Sequence, residues 1–253
     1  MNAIRRASSF VPWVAHFRAG PERHDAIEAA IDWNAPLALD ARTRSAFVRS
    51  FQRFELGESG EGKRLLALAK AAGDPVYTTA LALLVKEEQK HSALFGRGLA
   101  HLKAPSLESH WTDVAFTRLR RLLGLRTEIA LFLVAESVAM GYFTALADQA
   151  PDPVLRGIGR RIADDERNHI RFQIDRLRQG FRRTPAPVRA VVGAAWWVIA
   201  VGAATVLVVD HGAALRACGV SPTEYWGRAM RSFRAAARSA LAPHGGAMLG
   251  PRA

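Results

Sequence analysis

Two short segments of the sequence carry a glutamate followed three residues later by a histidine. The first, KEEQKH, contains Glu88 and His91, and the second, DDERNH, contains Glu166 and His169. On a helix this spacing puts the carboxylate and the imidazole on one face. Carboxylates and imidazoles that converge in this way are typical ligands of a transition metal. A single Glu-x-x-His segment is usually a coincidence on a helix surface, so the interpretation depends on what accompanies each of them.

Both segments belong to an internal repeat. A shift of 78 residues aligns residues 58–91 with residues 136–169 without a gap, and 11 of the 34 aligned positions are identical. A repeat of this kind indicates two copies of one supersecondary unit. The identical positions include a Glu-Ser pair and an Asp-Pro-Val segment in each copy: Glu58-Ser59 and Asp74-Pro75-Val76, Glu136-Ser137 and Asp152-Pro153-Val154.

Each copy is predicted to be a helical hairpin in an all-α protein. Alanine, leucine and arginine dominate the composition, which favours helices, and the alternating runs that are typical of strands are hard to find. An Asp-Pro pair caps and starts a helix, and a Gly or Pro before it ends the preceding one. The predicted helices span roughly 41–72 and 75–101 in the first copy, and roughly 124–150 and 153–180 in the second.

The hairpin geometry predicts which glutamates face each other. In a tight antiparallel hairpin, the numbers of facing residues sum to twice the centre of the turn. The first turn therefore places Glu88 opposite Glu58, with Glu61 one turn away, and the second places Glu166 opposite Glu136. Four carboxylates and two imidazoles are thereby predicted at one level of a four-helix arrangement.

The predicted surroundings of these glutamates are apolar. Many of the residues three, four and seven positions away, which share a helix face with each glutamate, are Leu, Ile, Val, Phe or Met. A buried carboxylate without a partner is unstable, so four of them together require cations. A pair of divalent or trivalent metal ions would supply the positive charge, as in bundles that take one Glu from each of two helices and a Glu-x-x-His from each of the others. The six predicted metal ligands are Glu58, Glu88, His91, Glu136, Glu166 and His169.

The sequence resembles the ferritin-like di-iron carboxylate superfamily over about residues 49–178. The resemblance is carried by the segments FQRFELGESGEGKRLLALA, VKEEQKH, LFLVAESVAM and DDERNH. It implies a ferritin-like four-helix bundle over 40–180, made of two hairpins joined by a long crossover at 103–123, within a single domain of residues 1–253. Residues 181–253 are then an apolar helix followed by a basic amphipathic helix.

The resemblance also implies roles for individual residues. The acid before each ligating glutamate would orient the histidine of the opposite half, so that Asp165 holds His91 and Glu87 holds His169. The alternative for Glu87 is a solvent-exposed helix acid. The two implied ligand sets are Glu58, Glu88 and His91 for one metal and Glu136, Glu166 and His169 for the other, with Glu88 and Glu166 as bridges.

The expected cofactor is a pair of iron ions, and a mixed Mn/Fe pair is left open. The single cysteine, Cys218, excludes a multi-cysteine zinc or iron–sulfur site. The expected function is an oxidoreductase that activates dioxygen to hydroxylate, N-oxygenate or desaturate a substrate, with electrons from an external donor. Apolar residues near the predicted ligands, Phe132, Met140 and Phe143, indicate a hydrophobic small-molecule substrate.

Other classes of function stay open at this point. An iron-binding ferroxidase or storage protein would need a cage of many subunits. A rubrerythrin-like peroxide-reducing protein would lack the cysteine quartet of its usual electron relay. A non-catalytic basic binding module is supported only by the net charge of +12. A nucleic-acid partner is not favoured, because mini-ferritins that protect DNA place their metal ligands between subunits, and a homodimer is left open.

The C-terminal third combines an apolar and a basic segment. Residues 190–209 carry no charge and are long enough to span a bilayer, but Trp196 and Trp197 lie in the middle of the segment. We therefore expect a buried fifth helix in preference to a membrane span. From residue 182 onward there are nine arginines and two acids. The helical stripe that would either lie on an anionic membrane or dock on the bundle is Trp226, Met230, Phe233 and Ala237.

We expect a cytoplasmic protein, with peripheral membrane contact through the C-terminal region left open. The apolar run at 10–14 is too short for a secretory signal, and a single cysteine is compatible with a reducing compartment. The segment at 25–33 predicts a short packing helix without chemistry. Asp210 and His211 are interpreted as a polar pair at a helix end rather than as part of the metal site.

Overall fold

The described residues of the chain are helical and contain no strand. The structure, a computed structural model, describes residues 9–108, 124–243 and 248–252. Within those ranges the all-α class predicted from composition is confirmed. The helices are α1 (Val11–Ala29), α2 (Ala41–Glu58), α3 (Lys63–Ala71), α4 (Pro75–His101), α5 (Leu125–Gln149), α6 (Pro153–Phe181), α7 (Ala186–Ala217) and α8 (Pro222–Ala240).

Asp-Pro pairs start the second helix of each hairpin. The Asp74 side chain accepts a hydrogen bond from the backbone N–H of Tyr77 at the start of α4. Asp152 accepts hydrogen bonds from the backbone N–H groups of Val154 and Leu155 at the start of α6. The proline after each aspartate lacks the N–H that a first helical residue would leave unsatisfied. The turns of both hairpins therefore lie where the sequence pattern predicts them.

The prediction of one continuous helix over 41–72 is wrong. α2 ends at Glu58 and α3 begins at Lys63, whereas the equivalent part of the second copy is the unbroken helix α5. Gly62 lies in the break with a φ of +61°, a left-handed conformation that its counterpart Met140 would adopt only with strain. The glycines in and beside the break and their counterparts are Gly57 and Ala135, Gly60 and Val138, and Gly62 and Met140.

The helices of the repeat pack side by side. α2 packs along α4, α5 packs along α6, α4 contacts α6, and α3 lies on α4 and α5. The end of α4 meets the start of α6, where His101 Nε2 and Asp152 Oδ2 are 3.0 Å apart. α5 therefore starts at the opposite end of the arrangement from the end of α4. The predicted crossover falls at 103–123, of which residues 109–123 lie outside the described part of the chain.

A continuous apolar core joins the repeat to α1, α7 and α8. α1 covers α4 and α6 with Phe10, Trp13 and Phe17, whose rings pack around Phe172 at centroid distances of 5.5–5.6 Å. Of the short packing helix predicted at 25–33, residues 25–29 are the end of this longer helix, and residues 30–33 lie beyond it. α1 thus lies directly over the two helices that carry the Glu-x-x-His segments.

α7 is not the buried fifth helix that the sequence led us to expect. One side of α7 packs against α2, α5 and α8 and buries Trp196, Ala200 and Ala204. The other side is exposed, because only 17% of the most apolar 18-residue window of α7 is buried. α5 and α7 are both long and apolar enough to cross a membrane by length and composition, but the corresponding window of α5 is 67% buried.

α8 docks its apolar stripe on the protein. Met230, Phe233 and Ala237 are buried, and Trp226 is half-buried. The Tyr225 hydroxyl donates a hydrogen bond to the backbone carbonyl of Val138 in α5, at 2.8 Å. The stripe was expected either to lie on an anionic membrane or to dock on the bundle. In the structure it packs against the neighbouring helices. The arginines on the outer side of α8 are Arg231, Arg234 and Arg238.

Candidate metal centre

The two Glu-x-x-His segments meet in the middle of the helix arrangement. α4 contributes Glu88 and His91, and α6 contributes Glu166 and His169. One ligand atom from each of these four side chains lies within 4.8 Å of all the others. The centroids of the two imidazole rings are 5.5 Å apart, and neither ring is exposed to solvent. One compact cluster therefore combines residues from both copies of the repeat.

The cluster contains buried polar atoms that have no hydrogen-bond partner. They include the Nδ1 atoms of His91 and His169, both carboxylate oxygens of Glu166 and Glu88 Oε1. His169 Nδ1 and Glu88 Oε1 approach to 2.7 Å but lack the alignment of a hydrogen bond. Folded proteins satisfy nearly all of their buried polar atoms, so a group of unsatisfied ligand atoms in one place indicates a missing partner. Metal ions would be such a partner.

Glu58 and Glu136 flank the cluster. Glu136 Oε1 accepts a hydrogen bond from Gln173 Nε2, while Glu136 Oε2 is buried without a partner. Burial raises the pKa of Glu136 well above its usual range, and the charges of Glu166 and Glu88 raise it further. Burial also raises the pKa of Glu58, again with the neighbouring Glu88 as a second cause. Shifts of this kind are typical of carboxyl groups that crowd together.

Each imidazole of the cluster is held by a carboxylate from the opposite copy of the repeat. His91 Nε2 lies 2.9 Å from Asp165 Oδ2, and His169 Nε2 lies 3.0 Å from Glu87 Oε2. These are the two pairs that the family resemblance implies. A histidine held at one ring nitrogen presents the other in a fixed direction, here Nδ1 toward the cluster. Glu87 is only 4% exposed, so it is not a solvent-exposed helix acid.

α1 adds a third imidazole, which the sequence analysis missed. His24 is 1% exposed, and its Nε2 lies 3.0 Å from Asp165 Oδ1 and 3.5 Å from Glu87 Oε1. It therefore bridges the two carboxylates that hold the imidazoles of the cluster. Gly20 permits this approach, since a Cβ at that position would lie 2.5 Å from Glu87 Oε1. No repeat partner or periodic pattern marks His24, so only the packing of α1 reveals it.

Asp165 is held from several directions. Burial alone would raise its pKa, but hydrogen bonds from His24 and His91 and the charge of Arg161 hold the pKa well below its usual range. Arg161 is fully buried, donates to Asp165 Oδ2, and places its Nε 3.4 Å from Glu28 Oε1. A carboxylate fixed in this way has a single orientation, and it imposes one on the attached imidazole.

The central glutamates and imidazoles favour each other's charged forms. Burial would raise the pKa of Glu88, but the charges of His169 and His91 bring it to about 2. Burial would lower the pKa of His91, but the hydrogen bond with Asp165 and the nearby carboxylate of Glu166 raise it to about 9. At neutral pH, Glu88 and His91 are therefore both charged, and a metal ion that binds Nδ1 must displace a proton.

A pocket of about 620 Å³ lies between the break in the first repeat copy and the cluster. Three of the predicted ligands line it: Glu58, Glu88 and Glu136. On its polar side, Arg64 Nη1 lies 3.2 Å from Glu128 Oε2, and Glu61 is an exposed loop acid paired with Lys63. The apolar wall of the pocket is formed by Leu65, Leu81, Leu84, Val85, Ile129 and Phe132.

Of the three apolar residues expected near the ligands, one lines the pocket. Phe132 lines the pocket, whereas Met140 and Phe143 are not among its lining residues. Phe143 is instead buried in an aromatic group with Phe54 and Phe95, at centroid distances of 5.1 and 6.4 Å. Phe143 and Met140 lie on the same helix as Glu136, but Phe143 is buried in the core and Met140 packs against it.

Asp210 and His211 are not at a helix end, because α7 continues beyond both. His211 Nδ1 lies 2.7 Å from Ser50 Oγ, which in turn lies 2.6 Å from the Tyr142 hydroxyl. Asp210 Oδ2 lies 3.7 Å from Arg53 Nε. These residues form a polar network between α2, α5 and α7 that is distinct from the cluster of glutamates and histidines.

The class of site is defined by its chemistry: carboxylates and imidazoles from a repeated pair of helices, grouped with unsatisfied ligand atoms beside a pocket. No protein-family model matches the chain, and no curated protein or solved structure shows significant similarity to it. The assignment of a function therefore rests on the geometry and chemistry of these residues.

Proposed function

We propose that this protein is a di-iron carboxylate oxidoreductase with a ferritin-like helix arrangement, which uses dioxygen to oxidise a hydrophobic small molecule. The observation that carries the proposal is the convergence of unpaired, buried ligand atoms from both copies of the repeat. Each copy would hold one metal with two glutamates and one histidine, and Glu88 and Glu166 would lie between the two ions.

The donor set fits two iron ions. Four carboxylates and two imidazoles suit iron or manganese better than metals that prefer sulfur ligands. The one cysteine of the chain, Cys218, is buried and is not a member of the cluster. Each imidazole is held at Nε2 and has an unpaired Nδ1, the arrangement of a metal-binding histidine. A mixed Mn/Fe pair would use the same donors.

The bound irons would supply the reduction of dioxygen and the oxidation of the substrate, with electrons from an external donor. The residues of the chain hold and orient the ligands and control access. Asp165 and Glu87 fix the two imidazoles, and the apolar wall of the pocket would hold a hydrophobic substrate beside the ligands. A reducing cytoplasmic setting suits this chemistry. Hydroxylation, N-oxygenation and desaturation all fall within the proposal.

The pocket favours substrate oxidation over iron storage or peroxide reduction. A volume of about 620 Å³ is in the range of sites that enclose small organic molecules, and apolar residues form one wall. A ferroxidase needs only a path for ions, and a peroxide-reducing protein needs room only for a very small substrate. The alternative of a non-catalytic basic module does not account for the buried glutamates.

Metal analysis tests the proposal. Protein purified from iron-supplemented cells should contain about two irons per chain, and the Glu88→Ala/Glu166→Ala variant should contain almost none. The reduced, iron-loaded protein should consume dioxygen. Metal content near zero in both proteins would refute the proposal. Uptake and oxidation of many ferrous ions per chain would instead support iron handling.

The aspartate that holds His91 should control metal affinity without being a ligand. We expect Asp165→Asn to weaken metal binding by about 10- to 100-fold, because an amide holds the imidazole less firmly than a carboxylate. Asp164→Asn is the matched control, since Asp164 is the adjacent acid but is 39% exposed and pairs with Arg23 and Arg167. Titration of both metal-free variants with Mn²⁺ gives the dissociation constants, and equal values would contradict the assigned role.

A further inference from the structure

α7 carries most of the exposed large apolar side chains in the described part of the chain. Of the seven large apolar side chains that are exposed there, six lie on α7 and one, Val11, lies on α1. The most exposed are Val191, Val198 and Val209, at 71%, 70% and 76%. Contiguous apolar surface of this kind on a folded protein marks a contact with a partner or a membrane. The six residues are Val188, Val191, Trp197, Val198, Val206 and Val209.

This surface is a continuous strip along one side of the helix. Val191, Val198 and Val209 are spaced so that they share a face, and the residues between them on that face are small and uncharged. The charge-free segment has 20 residues, which as a helix measures about 30 Å. The strip therefore extends over about 30 Å without interruption by a charge.

The packing of α7 shows how it could meet a membrane. Its opposite side buries Trp196, Ala200 and Ala204 against α2, α5 and α8. If α7 spanned a bilayer, the helices packed against it would also have to enter the bilayer. One of them is α5, which carries Glu128 and Glu136. The geometry therefore favours a helix that lies in the plane of the membrane surface, with its outer strip among the lipid chains.

A row of arginines borders the strip. Arg231, Arg234 and Arg238 lie on the exposed side of α8, which packs against α7. The Arg234 guanidinium carbon lies 5.1 Å from the centroid of the Trp197 ring, and that ring packs against Phe233. An aromatic side chain at the border between apolar and cationic surface is typical of the membrane interface.

Acids are few in the sequence that contains this row. Only two acidic residues occur in the sequence from residue 182 onward, Asp210 and Glu224. Asp210 lies 3.7 Å from Arg53, and Glu224 accepts a hydrogen bond from Arg228. The sequence from residue 182 onward therefore has a strong excess of positive charge, which fits an anionic surface.

We propose that α7 and the arginines of α8 dock this protein on the surface of a membrane that contains anionic lipids. The strip enters the boundary between headgroups and acyl chains, and Arg231, Arg234 and Arg238 contact the lipid phosphates. A second copy of the chain fits this face less well. A two-fold contact across α7 would bring the arginine rows of both copies to the same interface, where their like charges repel each other.

Flotation with lipid vesicles tests the proposal on the full-length protein. The probes are vesicles of phosphatidylcholine alone and vesicles with about 30 mol% phosphatidylglycerol. We expect binding to the anionic vesicles, weaker binding to the neutral ones, and loss of the difference at high salt. The tryptophan emission should shift to shorter wavelength on binding, because Trp197 is exposed whereas Trp13 and Trp196 are buried.

Two sets of variants separate the apolar and the electrostatic contributions. Val191→Glu/Val198→Glu should lower vesicle binding by at least about 10-fold, because it puts two charges into the strip. Val11→Glu is the matched control, since Val11 is 51% exposed on α1, away from the strip, and should bind as the unmodified protein does. Arg231→Gln/Arg238→Gln should lower binding to anionic vesicles by about 5-fold per arginine and leave binding to neutral vesicles unchanged.

Three results would overturn the proposal. The first is the absence of binding to either kind of vesicle. The second is equal binding by the Val191→Glu/Val198→Glu variant and the unmodified protein, with circular dichroism showing that both are folded. The third is a dimer in solution that the same variant converts to a monomer, which would assign the strip to a second copy of the chain. Metal content is independent of all three, so they do not bear on the proposed oxidoreductase activity.

Discussion

Mn²⁺ added to the metal-free protein should raise its melting temperature by about 10 °C or more. A site at a metal concentration of 100 times its dissociation constant adds about 2.7 kcal/mol to the free energy of unfolding, so two sites add about 5 kcal/mol. For a chain of this length, each kcal/mol corresponds to about 2–4 °C. Mn²⁺ suits the same oxygen and imidazole ligands as iron and does not oxidise readily in air. Scanning calorimetry of the two forms measures the difference.

The size of this effect comes from the atoms that the fold leaves unsatisfied. Both oxygens of Glu166 and the Nδ1 atoms of His91 and His169 are buried without a hydrogen-bond partner. An unsatisfied buried polar group costs about 1–3 kcal/mol, and more if it is charged. The metal-free protein keeps these groups ready for metal at the expense of its stability. Metal binding removes the cost and adds the ligand bonds, so the site should reach 100 times its dissociation constant at a lower metal concentration than an ordinary surface site.

A variant of the two flanking glutamates separates stability from metal binding. Burial raises the pKa of Glu58 and Glu136, with neighbouring carboxylates as a further cause. A carboxyl group whose pKa is raised by folding destabilises the fold as pH rises above its usual value of 4.5. Glutamine is neutral at every pH. Metal-free Glu58→Gln/Glu136→Gln should therefore melt at the same or a higher temperature than the metal-free wild type at pH 7, and it should lose most of the shift with Mn²⁺.

Glu61→Gln is the control for that variant. Glu61 is a loop acid whose side chain is 66% exposed and paired with Lys63, and it also borders the pocket. Its replacement should leave the shift with Mn²⁺ intact. If Glu61→Gln abolishes the shift, or if Glu58→Gln/Glu136→Gln retains it, the ligand assignment is wrong. A wild-type protein that shows no shift would argue that the buried glutamates form a polar network without a metal.

The hairpins could be predicted from the sequence because their signals are local. An Asp-Pro pair caps a helix whatever lies around it, so Asp74 and Asp152 fixed the turns. Once the turns were fixed, the repeat determined that Glu88 and Glu166 come from equivalent helices. The interruption after Glu58 also has a local signal, three glycines within six residues. The second copy continues as a helix at the same place, so the repeat predicts continuity where the glycines indicate a break.

His24 and the exposed side of α7 could not be predicted, because each depends on packing between distant segments. Nothing near His24 distinguishes it from a surface histidine, and its position beside Asp165 follows from where α1 crosses α4 and α6. The crossing in turn depends on Gly20, a single residue without a side chain. The composition of α7 shows that the helix is apolar. It does not show how much of the helix surface the rest of the chain covers.

Replacement of Gly159 by alanine should cost about 3 kcal/mol or more of the free energy of unfolding. Gly159 lies where α6 crosses α5, and a Cβ there would be 2.5 Å from the backbone nitrogen of Ala147 and 2.9 Å from the carbonyl carbon of Leu146. These are backbone atoms, so no side chain can rotate to make room. The two helices would have to move apart along their whole contact. Urea unfolding of the Gly159→Ala variant measures the loss.

Gly202→Ala is the matched control for the effect of alanine itself. Gly202 lies in the interior of α7, and a Cβ there would meet no atom within 4 Å, so alanine should stabilise the fold by about 0.5–1 kcal/mol.

The crossing at Gly159 also sets the separation of the helices that carry Glu136 and Glu166, two to three turns away. Gly159→Ala should therefore weaken Mn²⁺ binding as well as the fold, and Gly202→Ala should leave it unchanged. Loss of stability with unchanged metal affinity would show that the helices recover their spacing before they reach the glutamates, and the crossing would then be a packing device alone.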